Sequence, residues 1–175
     1  MTDAGRRLLG LAQELGALLL AQHRVLATAE SCTAGGVAYA VTLVPGSSAW
    51  FDRGVVVYSN EAKQRMLGVP AAYLRDYGAV SEPVARAMAL GILQHAGAQV
   101  SLAVTGVAGP DGGSAEKPVG TVCFAWALRR DATVPPWART VTRHFPGDRA
   151  LVRTQAIAEA LEGAIAVLRK EAEQG

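Results

Sequence analysis

Nowhere does this chain gather charge of one sign. Its 17 lysines and arginines exceed its 15 aspartates and glutamates by a net charge of +2, and the basic positions, from Arg6 and Arg7 through Arg24, Arg53, Lys63, Arg65, Arg86 and Arg129 to Arg143, are scattered. A nucleic-acid surface needs such residues clustered on one face, so no nucleic-acid partner is expected. Cysteine is scarce. Cys32 and Cys123 lie far apart and at no metal-ligand spacing from a histidine, which argues against a zinc site and makes a reducing cytoplasm the expected setting. Long apolar runs are missing as well: residues 6–21 come nearest, but Gln13 and Glu14 interrupt them and the stretch is too short to span a bilayer. No membrane partner is expected, and no repeat or low-complexity segment appears.

What is present has a globular composition, half hydrophobic and 18% charged, and residues 1–175 fit one domain that can bury a core without metal or disulfides. Leu8, Leu11, Leu15, Leu18 and Leu19 recur at helical spacing behind Thr2 or Asp3 as N-cap. A strand is expected over 24–29 and a helix over 33–42. The β-branched and aromatic run Val55-Val56-Val57-Tyr58 predicts a buried strand over 50–59. Asn60 then reads as the N-cap of a helix over 61–67, with Gly68 as its C-cap. Helices over 70–76 and 82–95, a strand over 100–104, a hairpin of strands over 119–128 and 137–145 at the sheet edge, and a helix over 148–170 complete the pattern. The alternation predicts the α/β class, a three-layer α/β/α sandwich around a mixed central sheet. Ligands in such sheets bind beyond the carboxyl ends of the strands, where two glycine-rich loops fall.

The first loop is the core of VLATAESCTAGG, residues 25–36, in which a short apolar run stops at Glu30-Ser31-Cys32-Thr33 and opens into glycine. That pattern displays a reactive side chain at a strand-to-helix turn and aims backbone N–H groups at an anion. Ser31 is the first candidate nucleophile. The hydroxyl needs a base, and His23, His95 and His144 all fall at peripheral positions. Lys63 is the better partner, one turn into the helix that follows Tyr58. It can act only if burial or a positive neighbour lowers its pKa from about 10.4; the bland alternative is a solvated helix lysine. Cys32 is the rival nucleophile, against the reading that it packs into the sheet-helix interface as a small apolar group. Glu30 either orients Lys63 or caps the turn. The second loop, TGVAGPDGGSAEKPVG from residue 105, permits close backbone approach to a phosphate or flat ring, yet it lacks the Lys-Ser/Thr ending of a nucleotide-binding P-loop.

Taken together, AESCTAGG at residues 29–36, YSNEAKQRMLGV at 58–69, GAVSEPVARAMA at 78–89 and TGVAGPDGGSAEKPVGTV at 105–122 resemble one family. It is the nicotinamide-nucleotide amidohydrolase family, the C-terminal domain of the competence- and damage-inducible protein CinA, here in a stand-alone form. The resemblance implies hydrolysis of the carboxamide of nicotinamide mononucleotide to nicotinic acid mononucleotide and ammonia, with no cofactor and no metal. It puts Ser31 on the nucleophile position and Lys63 and Tyr58 on the other catalytic positions, Tyr58 as a proton relay. Glu30, Cys32, Thr33 and Gly35 of the first loop, Ser48, and Thr105, Gly106 and Gly109 of the second are expected around the substrate. Ala34 departs from the glycine of many members but keeps the position small. Self-association is expected, through the apolar first helix and an exposed Trp50 or Trp137. The competing readings are a module that binds a mononucleotide without turning it over, and an amidase for another carboxamide.

Overall fold

The computed structural model describes residues 2–174, the last of them for its backbone alone. Six helices and five strands follow in the order α1 (Asp3–Ala21), β1 (Leu26–Glu30), α2 (Gly36–Thr42), β2 (Phe51–Val56), α3 (Asn60–Leu67), α4 (Ala71–Tyr77), α5 (Glu82–His95), β3 (Val100–Gly106), β4 (Thr121–Leu128), β5 (Trp137–His144) and α6 (Arg149–Gln174). The strands form one sheet in the order β2-β1-β3-β4-β5. β1 is parallel to both β2 and β3, while β4 is antiparallel to β3 and to β5. The fold is therefore an α/β sandwich on a mixed sheet, with the hairpin at its edge.

Side-chain alternation along the strands builds the two outer layers. On β4, Val122, Phe124, Trp126 and Leu128 join Leu15, Leu19, Val37, Val41 and Leu161 in the core beneath α1, α2 and α6. Cys123, Ala125 and Ala127 face the other way, with Ala27, Ala29 and Ala103, toward Val84, Met88 and Ile92 of α5. Large residues thus fill one side and small ones the other, as a period of two requires. α5 itself packs close: a methyl group on Gly91 would meet the backbone carbonyl of Leu67 at the end of α3.

Several local expectations are corrected. α2 begins at Gly36 rather than at residue 33, because Ala34 and Gly35 both take positive φ, 51° and 88°, and hold the chain in a turn first. β2 is an edge strand and mostly exposed, so its β-branched residues mark a strand but not a buried one. Ser59, not Asn60, caps α3, its hydroxyl accepting from the Ala62 N–H; Thr2 caps α1 in the same way. Trp50 is buried rather than exposed, lying where a Cβ on Gly16 of α1 would strike its ring, so the two Trp positions differ: Trp137 is the exposed one. Among the described residues no helix is long and apolar enough to cross a membrane.

Candidate active site

β1 and β3 run parallel and end side by side, with Glu30 opposite Val104. The chain leaves β1 at Ser31, whose N–H donates to the Val104 carbonyl at 2.9 Å, and turns through residues 31–35 before α2 starts. Glu30 points under that turn because alternation along β1 sends it to the α2 side. There its carboxylate accepts from the N–H of Val37 and of Ala38, each at 2.9 Å, and from the Thr33 hydroxyl at 2.7 Å. Of the two roles open to Glu30, the structure shows the cap; it makes no hydrogen bond to Lys63.

Lys63 enters from the opposite layer. Capping by Ser59 starts α3 immediately after β2, and the first turn carries Lys63 back across the strand ends. The residue is 1% exposed, so it is not a solvated helix lysine. Its Nζ lies 3.1 Å from Ser31 Oγ, 2.9 Å from the Val57 carbonyl oxygen and 3.1 Å from that of Tyr58. Desolvation disfavours the ammonium and holds the amine below its ordinary value of 10.5. A neutral amine has two N–H donors and one lone pair. All three oxygens lie within donor reach of Nζ; once the amine is neutral, with its two protons on the carbonyls, its lone pair faces the Ser31 hydroxyl, the orientation a general base needs.

Cys32 sits beside this pair and is buried in the α2-side core. Burial pushes its thiol up to about 12, with the Glu30 charge adding to the rise. It is a protonated, packed group at neutral pH, and this geometry favours the apolar reading over the nucleophilic one.

Tyr58 contributes differently from what its spacing suggests. The residue is 59% exposed, and the phenol accepts from Arg149 Nη2 at 3.1 Å, with no hydrogen bond to Ser31 or Lys63. What Tyr58 gives the lysine is its backbone carbonyl. In the second loop, Thr105 is buried and its hydroxyl donates to the Ala79 carbonyl at 2.9 Å, a tie between β3 and the residues ahead of α5. Gly106 passes so close to Thr121 and Val122 that a Cβ there would collide with them. Gly109 takes φ 82° before a cis bond to Pro110, and its carbonyl accepts from Arg149 Nη1 at 2.7 Å.

Ser48 is not brought to the site. It lies in a single 3-10 turn, Ser47–Ala49, just before β2. Because β2 is parallel to β1 and starts opposite Leu26, this turn sits at the opposite end of the parallel strands from Ser31. The three histidines form no hydrogen bond to Ser31 or Lys63 among the described residues. A cavity of about 540 Å³ between the end of α3, α4 and α5 includes neither Ser31 nor Lys63 in its walls, and neither does a roomier one of about 680 Å³ beside residues 132–136.

Two functional candidates escape the sequence reading. Arg149 and Arg153, one helical turn apart at the start of α6, reach the site from more than 90 residues away. Arg149 bridges Tyr58 and Gly109, and Arg153 Nη2 donates to the Thr33 carbonyl at 2.9 Å. Nothing local marks them; only the packing of α6 against α2 brings them to the turn.

The chain is similar along most of its length to known proteins. Residues 9–168 match the model of the CinA C-terminal domain. A protein of Escherichia coli strain K12 named nicotinamide-nucleotide amidohydrolase PncC is 50% identical over 162 residues, covering 93% of this chain and 94% of that protein. A putative competence-damage inducible protein of Symbiobacterium thermophilum is 55% identical, but there the match covers 36% of the longer relative. The crystal structure of competence/damage inducible protein CihA from Agrobacterium tumefaciens superposes with a TM-score of 0.85 at 41% identity, over 93% of this chain and 96% of that one. With four sequence motifs in order, one sheet topology and the family model agreeing, this chain belongs to the CinA C-terminal domain family.

Proposed function

We propose that this chain is an amidohydrolase that cleaves the carboxamide of nicotinamide mononucleotide, giving nicotinic acid mononucleotide and ammonia, through an acyl intermediate on Ser31. The observation that carries the mechanism is the Lys63 Nζ 3.1 Å from the Ser31 hydroxyl, with the Val57 and Tyr58 carbonyl oxygens at 2.9 and 3.1 Å to take its two protons in the neutral form. The names of relatives that align with this chain almost end to end support the substrate.

Neutral Lys63 takes the Ser31 proton as Oγ bonds to the amide carbon. The resulting ammonium donates that proton to the amide nitrogen, the C–N bond breaks, and ammonia leaves. Water then attacks the ester carbon, giving a proton to Lys63, which returns it to Ser31 Oγ as the carboxylate is freed. The substrate phosphate meets Arg149 and Arg153, whose guanidiniums already lie beside the second loop and the first turn. Tyr58, held at the rim by Arg149, lies beside the bound nucleotide rather than in the proton path.

The test is ammonia release from a panel of pyridine carboxamides: nicotinamide, its riboside and its mononucleotide. The mononucleotide is expected to have the highest kcat/KM, with most of the loss on removing phosphate in KM. Tight binding of the mononucleotide without ammonia release would identify a binding module instead, and equal rates across the panel would identify an amidase with a different substrate.

A further inference from the structure

The donors usually credited to a helix N-terminus are spent in this protein. Glu30 is 1% exposed and takes the N–H groups of Val37 and Ala38 together with the Thr33 hydroxyl, while the first N–H of α2, that of Gly36, donates to the Thr33 carbonyl. A buried carboxylate is tolerable only when it is so bonded. α2, at seven residues, therefore has no anion-binding end of its own. The N–H groups left for a developing oxyanion are those of the turn: Ser31, Ala34 and Gly36 donate to backbone carbonyls, and among the described residues no such bond is made by the N–H groups of Cys32, Thr33 and Gly35.

The turn's own backbone bonds are two, from the Ala34 N–H to the Ser31 carbonyl at 3.1 Å and from the Gly36 N–H to the Thr33 carbonyl at 3.0 Å. Ala34 at φ 51° and Gly35 at φ 88° lie in the left-handed region, which an alanine enters only under constraint. Arg153 holds the Thr33 carbonyl from outside, and the carboxylate beneath is the one group that grips both the turn, at Thr33, and the helix, at Val37 and Ala38, on either side of both residues.

Resting on the reaction proposed above, we infer that Glu30 is a positioning residue: it touches no reacting atom, and it holds the turn so that the unbonded N–H groups of residues 32–35 face the tetrahedral oxyanion formed at Ser31. Binding of the ground-state amide uses these donors little, so the effect of losing their alignment belongs to kcat.

The experiment compares wild type with Glu30→Gln, in which the side-chain NH2 must face one of the N–H donors. Steady-state ammonia release from nicotinamide mononucleotide, normalised to the folded fraction, is expected to lose about 10²-fold in kcat with KM within about threefold, as loss of an oxyanion donor does. The acid limb of the pH profile should stay in place, because Lys63 is untouched. Hydrogen exchange should rise in residues 32–38 and not in α3 or α5. Should Glu30→Gln not fold, Thr33→Val removes one arm of the same grip and should lower kcat at least tenfold, with Thr33→Ser restoring it. A Glu30→Gln enzyme, or failing it a Thr33→Val enzyme, with wild-type kcat overturns the inference alone. A wild type that releases no ammonia overturns the reading of function, and this inference with it.

Discussion

At the scale of single residues, the chemistry depends on an amine that is easier to deprotonate inside the protein than in water. Burial lowers the Lys63 pKa from 10.5, so the fraction of competent base grows as pH rises through that lowered value. The kcat/KM profile should show an acid limb below the ordinary lysine range, and Lys63→Met should lose both the limb and about 10²-fold or more in rate. Folding stability carries the same signature. Between the lowered pKa and 10.5 the unfolded chain binds the proton that the folded chain has released, so stability rises with pH across that window. The Lys63 contribution is complete above 10.5 and is lost as pH falls through the folded value. Urea denaturation of wild type and Lys63→Met at a series of pH values should show their difference moving in the wild type's favour as pH rises; a difference that stays flat contradicts a neutral, buried amine.

Ser31 and Lys63 are also the residues most legible in the sequence. A serine at a strand-to-glycine junction and a lysine one turn past a strand end are local patterns, and the fold needs only to bring two neighbouring strand ends together. The role of Glu30 is half legible: a carboxylate beside the turn is visible, but its choice between lysine and backbone depends on which face of β1 it occupies. Tyr58 misleads because its carbonyl, which any residue possesses, makes the contact that its phenol was expected to make.

At the scale of elements, the position of the base depends on how tightly α3 is held. Its carrier helix is short, eight residues, and rests on α5 where Gly91 leaves no room for a side chain. Gly91→Ala has to push the Leu67 carbonyl, and with it the end of α3, away from α5. A cost of about 1–3 kcal/mol is expected for such overpacking, read as a lower denaturation midpoint, together with a lower kcat as the Lys63 to Ser31 contact lengthens. Unchanged kcat at reduced stability would show that the first turn of α3 is fixed by the Ser59 cap and the Lys63 hydrogen bonds alone. Helices are readable here because leucine spacing and glycine caps are local; the late start of α2 is not, since it comes from the positive φ that Ala34 and Gly35 take in the folded turn. The edge position of β2 was equally hidden, because its sequence is as β-branched as that of a central strand.

Over the whole molecule, the site is assembled from both layers at the one edge where the parallel strands end. Lys63 arrives from the α5 side, while the turn, Arg149 and Arg153 arrive from the side of α2 and α6. Arg153 and Thr33 are 120 residues apart, a separation no local pattern reports, whereas Ser48 lies near Ser31 in sequence and at the opposite end of the parallel strands in space. Topology, not spacing, decides both. The same packing separates the two nucleophile candidates that adjoin each other in the chain, leaving the hydroxyl of Ser31 beside the amine and burying the thiol of Cys32. The most direct measurement is therefore ammonia release from nicotinamide mononucleotide by wild type, Ser31→Ala and Cys32→Ala, each shown to be folded. The account predicts that Ser31→Ala loses more than about 10³-fold in kcat while Cys32→Ala stays within about tenfold of wild type; turnover retained by Ser31→Ala and lost by Cys32→Ala would contradict it.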